Sequence, residues 1–378
     1  MTRTLVMGDP QGPFDKLLEV LDRHAALDGD RLAGDVVLVS IGDHFDYDFH
    51  DWQSAGQQGL RLLRWLAGHD ASQVRLLLGN HDASRVMELV AISDERFAAA
   101  RAFAQALDGD PACNARFLAA FPELPSSGLA GRDYASFSVE QRALIIELLL
   151  AGRFDLALVG ELADGRVVLL THAGITRREL AMLGAPAEPT PIAATLQTRL
   201  ATAIDEVRAD WLRGIPTPLS LEPLHVAGIP GEEGGGLLYH RPTNPDRRGA
   251  DRAWGLAAPR PRRFDPRTLP LGLTQIAGHT GHNKCLTELG GWATQAARGR
   301  KHGGIRTLRL AASCAACRPP RSRSCRSPGC AECSPAQRLA AVAADLRRGP
   351  RDLHQPQLID RSVESPVAAR RWIVASDR

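Results

Sequence analysis

The chain has 378 residues, 44% of them hydrophobic and 24% charged, enough for one large domain or two ordinary ones around a buried core. No apolar run approaches the length of about 18 residues that a spanning helix needs, and the first residues hold no apolar stretch of signal-peptide length, so a membrane-spanning helix is excluded and a cytoplasmic protein with no membrane partner is expected. The formal charge of +3 conceals a net −8 over residues 1–297 and +11 over residues 298–378, so no uniform electrostatic character guides the choice of partner.

The elements alternate. Thr4–Met7 is a short apolar run stopped by Gly8-Asp9-Pro10. Phe14–Leu27 sets Leu17, Leu18, Leu21 and Ala25 at spacings of three and four, which predicts a helix. Asp35–Ile41 reads as a buried strand ended by Gly42-Asp43, Gly59–Leu66 as a helix, and Val74–Leu78 as a strand ended by Gly79-Asn80. Glu140–Leu150 is helical, and Val167–Leu170 is a strand running into Thr171-His172. Residues 214–272 are rich in Pro, Gly and Arg and read as a long irregular insertion. Leu273–Ala277 restores the pattern and ends at Gly278-His279; an Ala/Leu/Arg helix is expected over 336–348. Strand, polar loop and helix in repetition predict an α/β fold.

Five strand ends carry one kind of chemistry: Gly8-Asp9-Pro10-Gln11-Gly12, Gly42-Asp43-His44-Phe45-Asp46, Gly79-Asn80-His81-Asp82, His172-Ala173-Gly174 and Gly278-His279-Thr280. Loops at the carboxyl ends of strands in an open α/β sheet gather in one crevice. Carboxylates, amides and imidazoles would therefore converge, a donor set that suits Mn, Fe or Zn. One Gly-Asp after a strand is an ordinary turn; five such ends in one chain order are not explained by turn chemistry.

Those motifs, in that order, resemble the calcineurin-like metallophosphoesterase superfamily, and within it the phosphoprotein phosphatase branch, which includes bacterial serine/threonine phosphatases and diadenosine tetraphosphate hydrolases. The motifs span residues 8–280. The resemblance implies two mixed sheets packed as a sandwich flanked by helices, and a dinuclear metal site that generates hydroxide for in-line attack on phosphorus. It implies Asp9 and Gln11 on the first ion, Asp43 bridging both, and Asn80, His172 and His279 on the second. His81 would protonate the leaving alkoxide or stabilise its charge, and Asp46 would orient His81. The activity so implied is a metal-dependent phosphoric ester hydrolase, first a serine/threonine protein phosphatase-like enzyme. A dinucleoside polyphosphate or other nucleotide hydrolase is the alternative, with Trp211, Tyr239 and Trp254 as stacking candidates.

Three departures from the superfamily or branch patterns matter. Gln11 stands where His is common, and its neutral oxygen favours Mn over Zn. Gly281 stands where the wider superfamily often has a second His, a residue that the phosphatase branch also lacks. Tyr47 stands where the branch has a phosphate-clamping Arg, so the guanidinium must come from elsewhere, and Arg241 and Arg85 are the candidates. His44 is expected to face solvent, and Asp82 to support the loop without being a ligand.

Residues 1–310 read as the metallophosphoesterase domain, and 311–378 as a basic, Cys-rich, poorly ordered tail. Five of the seven cysteines lie between 314 and 333. Cys314-x2-Cys317 and Cys330-x2-Cys333 could hold a structural zinc ion, although the spacer is short. The competing reading is a composition-driven, disordered Arg/Pro/Cys stretch, or a shifted reading frame. A second class of function follows from the zinc reading, a nucleic-acid or zinc-binding protein that acts through its basic tail.

Overall fold

A computed structural model describes residues 2–289 apart from Gln11, residues 163–164 and residues 248–252, together with strand backbone at 301–302, 305–310, 339–342, 357–358 and 371–376. Gln11, Cys314, Cys317, Cys330 and Cys333 lie outside the described residues.

The main sheet contains β1 (Arg3–Met7), β2 (Val36–Ser40), β3 (Val74–Leu77), β4 (Phe154–Asp155), β5 (Ala157–Glu161), β6 (Val167–Thr171), β7 (Gln275–Ala277), β8 (Lys301–His302), β9 (Ile305–Leu310), β10 (Leu339–Val342), β11 (Gln357–Leu358) and β12 (Arg371–Ser376). Its hydrogen bonds run in the order β8-β9-β10-β7-β6-β5-β12-β1-β2-β3-β4, with β11 beside β12. The segment β1 to β4 is wholly parallel, with Leu5 opposite Leu38. β5 and β6 are antiparallel, and β6 and β7 are parallel, with Ile276 opposite Leu170.

These strands form two wings packed face to face. Val6, Val39, Ile41 and Leu77 of one wing form a buried cluster with Leu158, Val168, Leu170 and Ile276 of the other. The alternate residues Leu5, Leu38 and Leu76 point outward into the helices, as the period of two along a strand requires. The two-layer sandwich implied by the resemblance is thus present in the packing. The backbone bonding differs in one respect, since the layers are joined through β12, which meets β5 at the single pair Arg371–Glu161.

The helices are α1 (Phe14–Arg23), α2 (Trp52–Ala67), α3 (Asn80–Ser84), α4 (Asp94–Ala106), α5 (Cys113–Ala120), α6 (Val139–Leu150), α7 (Arg177–Leu183), α8 (Pro189–Leu212) and α9 (His282–Leu289). α1 stops four residues before the pattern suggests because Ala25 takes a left-handed φ of 48°. α8 buries Ile192, Leu196, Leu200, Ala203, Ile204, Val207 and Trp211, one stripe at helical spacing, and packs on β5 and β6. Where composition suggests a helix over 336–348, the backbone at 339–342 is extended and pairs with β7 and β9, a case of sheet context overriding helix propensity. The 214–272 stretch has few regular elements, but Leu219, Leu221, Leu224, Leu237 and Leu238 bury their side chains in the main core. No helix among the described residues is long and apolar enough to cross a membrane.

Candidate metal centre

The five strand ends meet. His172 follows β6, and its Nδ1–H donates to the Ile41 carbonyl at 2.9 Å. A carbonyl only accepts, so Nδ1 carries a proton and Nε2 is the nitrogen that can present a lone pair to a cation. That Nε2 lies 3.1 Å from Asn80 Oδ1, 3.2 Å from His279 Nδ1 and 3.4 Å from Asp43 Oδ1. His279 donates Nε2–H to the Tyr239 carbonyl at 2.9 Å, so its Nδ1 also presents a lone pair. Once a second proton is lost from His172, its Nε2 faces Asn80 Oδ1, Asp43 Oδ1 and His279 Nδ1, all acceptors, with no hydrogen to bridge them. Donor atoms of Asp43, His172 and His279 all lie within 4.8 Å of one another, and all three residues are buried. A divalent cation resolves this crowding, and mixed oxygen and imidazole donors are chemically suited to one.

Asp9 adjoins this group. Its Oδ1 accepts the His279 backbone N–H at 2.9 Å and lies 3.9 Å from His172 Nδ1. Burial, reinforced by the nearby Asp43 charge, pushes the Asp9 carboxyl up to about 7 against the pull of His172. Burial alone would lower His172, but the Asp43 and Asp9 carboxylates reverse this and raise it to about 9. Burial likewise opposes ionisation of Asp43, yet His172 and His81 hold it well below the usual carboxylate range. His279 is pushed well below its usual value by burial, then by the charges of Arg241 and His172. Asp9, buried beside the Asp43 carboxylate, is the group whose charge a bound cation would offset.

The backbone is bent to reach this arrangement. Asp43, Asp46 and His279 take φ values of 60°, 65° and 63°, a left-handed region that costs an L-residue on the order of 1–3 kcal/mol. Glycines allow the close approach. A Cβ on Gly79 would lie 2.3 Å from Asp43 Oδ1, and one on Gly278 would lie 2.2 Å from Asp9 Oδ1.

His81 stands beside the cluster. Its backbone N–H donates to Asp43 Oδ1 at 2.9 Å, and its Nδ1–H donates to Asp46 Oδ2 at 2.9 Å. Its Nε2 is 3.9 Å from Asp43 Oδ2, so the free nitrogen faces the donor cluster. Asp46 Oδ1 accepts the Ser136 backbone N–H at 3.0 Å and the Ser136 hydroxyl at 2.6 Å. Burial would raise Asp46, but Arg85, His81 and Ser136 hold it low. The Tyr134 ring meets the His81 ring edge-on at 5.4 Å, and its hydroxyl contacts the Tyr239 hydroxyl. Tyr134 and Ser136 follow a π-helical turn at Leu129–Asp133, a distortion often found near functional sites. Sequence reading missed both residues. Ser136 lies 90 residues from Asp46 in the chain, and no local pattern announces it.

Two expectations change. Arg85 is not available to clamp phosphate. It is wholly buried, donates to the His81 carbonyl at 2.7 Å and to Gln141 Oε1 at 3.0 Å and 3.2 Å, and pairs with Asp46 at 2.7 Å. His44 does not face solvent. It is 1% exposed and lies between Ser40 and Asp82. Asp82 supports the loop as expected, by accepting the backbone N–H groups of Gly79, Asp43 and His44. Arg241 is half-buried, with its backbone N–H donating to the Arg262 carbonyl at 2.9 Å. Of the stacking candidates, Trp211 and Tyr239 are buried, Trp211 with its indole N–H on the Thr217 carbonyl at 2.8 Å; Trp254 is half-buried.

Residues 2–189 match the family model described as calcineurin-like phosphoesterase. Among solved structures, a cold-active protein-tyrosine phosphatase of the psychrophile Shewanella sp. is similar at 15% identity over 75% of this chain and 69% of that one, with a TM-score of 0.29. A second structure of a cold-active protein-tyrosine phosphatase is similar at 15% identity over 75% and 68% of the two chains, with a TM-score of 0.27. Likeness at this level carries no weight for fold or substrate. Comparison with curated proteins gave no match.

Proposed function

The chain belongs to the calcineurin-like phosphoesterase family of metal-dependent phosphoester hydrolases, and on that premise we propose that it removes phosphate from serine and threonine side chains of proteins. The observation that carries the reading is the Asp46–His81 pair, whose free Nε2 faces the Asp43, His172 and His279 donors. Alkoxide is a poor leaving group, and a proton held at that nitrogen is what its departure needs.

Asp43, Asn80, His172 and His279 would hold divalent cation, with Asp9 beside them. When bound, a pair of such ions supplies the positive charge that draws in a phosphate dianion and makes water acidic enough to attack at neutral pH. The chain's own residues do the rest. The Ile41 and Tyr239 carbonyls fix the tautomers of His172 and His279. Asp46 fixes that of His81. Arg241, within electrostatic reach of His279, is the guanidinium we assign to phosphate binding. Mn²⁺ is our choice of ion, on the mixed donor set and the neutral Gln11 oxygen in the sequence. A protein substrate is favoured over a nucleotide because two of the three stacking candidates, Trp211 and Tyr239, bury their rings away from any base, which leaves only the half-buried Trp254.

The test is hydrolysis by the Mn²⁺-loaded chain of phosphoserine and phosphothreonine peptides, diadenosine tetraphosphate and cyclic nucleotides, with metal content measured on the same sample. Phosphopeptides should be preferred, EDTA should abolish turnover, and Asp43→Asn should lose both metal and activity. Preference for diadenosine tetraphosphate would transfer the assignment to nucleotides. Undiminished metal-dependent turnover in Asp43→Asn would end the reading of this cluster as the active site.

A further inference from the structure

Ser40, His44 and Asp82 form a hydrogen-bonded line that the proposed reaction does not use. All three are buried, at 0%, 1% and 0% exposure. A carboxylate only accepts, so His44 carries its proton on Nδ1 and donates it to Asp82 at 3.0 Å. His44 Nε2 then accepts the Ser40 hydroxyl at 2.9 Å. The order of atoms is that of a serine hydrolase triad, yet no substrate can reach a hydroxyl wholly buried on the helix-facing side of β2, and the Phe154 ring closes the edge of His44 at 6.1 Å. A nucleophile role is excluded by burial.

The line ends instead on the metal loops. Asp82 Oδ2 accepts the Asp43 N–H at 2.9 Å and the Gly79 N–H at 3.0 Å, and Oδ1 accepts the His44 N–H at 3.1 Å. One carboxylate therefore ties the turn that carries Asp43 to the turn that carries Asn80. Asp43 holds a left-handed backbone, and its N–H has to be satisfied there for the side chain to face His172. We propose that His44 is a positioning residue that locks Asp82, with Ser40 fixing the His44 ring, so that Asp82 presents the Asp43 carboxylate to the cation. This inference rests on the metal-dependent reading above.

The two ring nitrogens can be tested apart. His44→Asn keeps a donor at the place of Nδ1, toward Asp82, whereas His44→Gln reaches toward Ser40 and removes that donor. Mn²⁺ binding to metal-stripped, full-length protein is measured by titration calorimetry, with thermal unfolding of the metal-free forms alongside. His44→Asn should bind Mn²⁺ within about 3-fold of wild type, and His44→Gln about 10-fold or more weakly, as loss of a group supporting a metal ligand usually costs. The metal-free unfolding temperatures of the two variants should agree. Wild-type affinity in His44→Gln overturns the inference, and so does equal loss in both variants. Should His44→Gln fail to fold, Asp82→Asn is read in its place, with a loss of about 10-fold or more supporting the proposal and wild-type affinity overturning it. A wild-type chain that binds no Mn²⁺ defeats the phosphatase reading itself; binding by wild type that His44→Gln matches defeats this inference alone.

Discussion

His81 donates Nδ1–H to Asp46 Oδ2 across 2.9 Å, with the Asp46 side chain wholly out of solvent. In the proposed reaction, the pair fixes which nitrogen of His81 would serve the leaving group. His81→Ala should lower kcat for a phosphoserine peptide by about 10²- to 10⁴-fold. Asp46→Asn, which keeps the ring but loosens its tautomer, should lower it by about 10- to 100-fold. Both deficits should shrink for p-nitrophenyl phosphate, whose phenolate leaves without a proton. The check is a leaving-group series run on both variants at saturating Mn²⁺. Equal deficits across the series would remove His81 from proton transfer.

Arg85 acts through Asp46, and its loss should be felt as stability. The guanidinium is fully buried against Phe45 and pairs with a buried carboxylate. Arg85→Met leaves Asp46 charged and short of a partner, which should cost about 3–5 kcal/mol in urea unfolding. In Arg85→Lys the single ammonium reaches Asp46 or Gln141 but not both, so the loss should be smaller. The KM for p-nitrophenyl phosphate should stay within about 2-fold in the lysine variant, since Arg85 does not touch substrate. A large rise in KM at unchanged stability would restore Arg85 to the phosphate site.

The convergence of these side chains was legible in the sequence because each sits at a strand end beside a glycine or a short polar turn, and those are local signals. Asp9, Asp43, Asn80, His172 and His279 needed only strand order to be brought together. The supporting shell was not legible, for reasons of distance and burial. Ser136 and Gln141 reach Asp46 and Arg85 from more than fifty residues away. Arg85 and His44 are residue types that usually keep contact with water, and only long-range partners at Asp46 and Asp82 show why they do not. The helical run over 336–348 misled because helix propensity is a weak prior beside an open strand edge. Neither π-helical turn nor left-handed aspartate leaves a mark in composition.

Gly79 should tolerate no side chain. A Cβ there would lie 2.3 Å from Asp43 Oδ1 and 2.4 Å from the Asp43 backbone nitrogen, closer than real Cβ atoms come, and backbone cannot step aside cheaply. Gly79→Ala should therefore push Asp43 away from His172 and lose bound metal, with a destabilisation of about 1–3 kcal/mol. Metal content by elemental analysis checks the first effect and urea unfolding the second. Wild-type metal stoichiometry in the variant would show that Asp43 does not have to stay where it is.

Glu179 offers a pH dependence that does not involve metal. It is buried in the capping box of α7, just beyond the His172 turn, where it accepts the Thr176 N–H at 3.0 Å and a bond from the Thr176 hydroxyl. Burial would raise this carboxyl, but His240, Thr176 and Arg178 hold it below its ordinary value of 4.5. A depressed folded-state pKa adds stability above the unfolded value, and that stability is lost as pH falls through the folded value. Hydrogen bonds to a charged group contribute about 1.5–3 kcal/mol each when one partner is removed. Glu179→Gln should thus be less stable than wild type by about 1.5–3 kcal/mol at pH 7. The gap should persist down to about pH 5 and close below about pH 4, as wild type takes up the proton that the amide never needed. Urea unfolding of both proteins from pH 3 to pH 8 measures it, and a gap that is constant over the whole range would assign the loss to packing instead of charge.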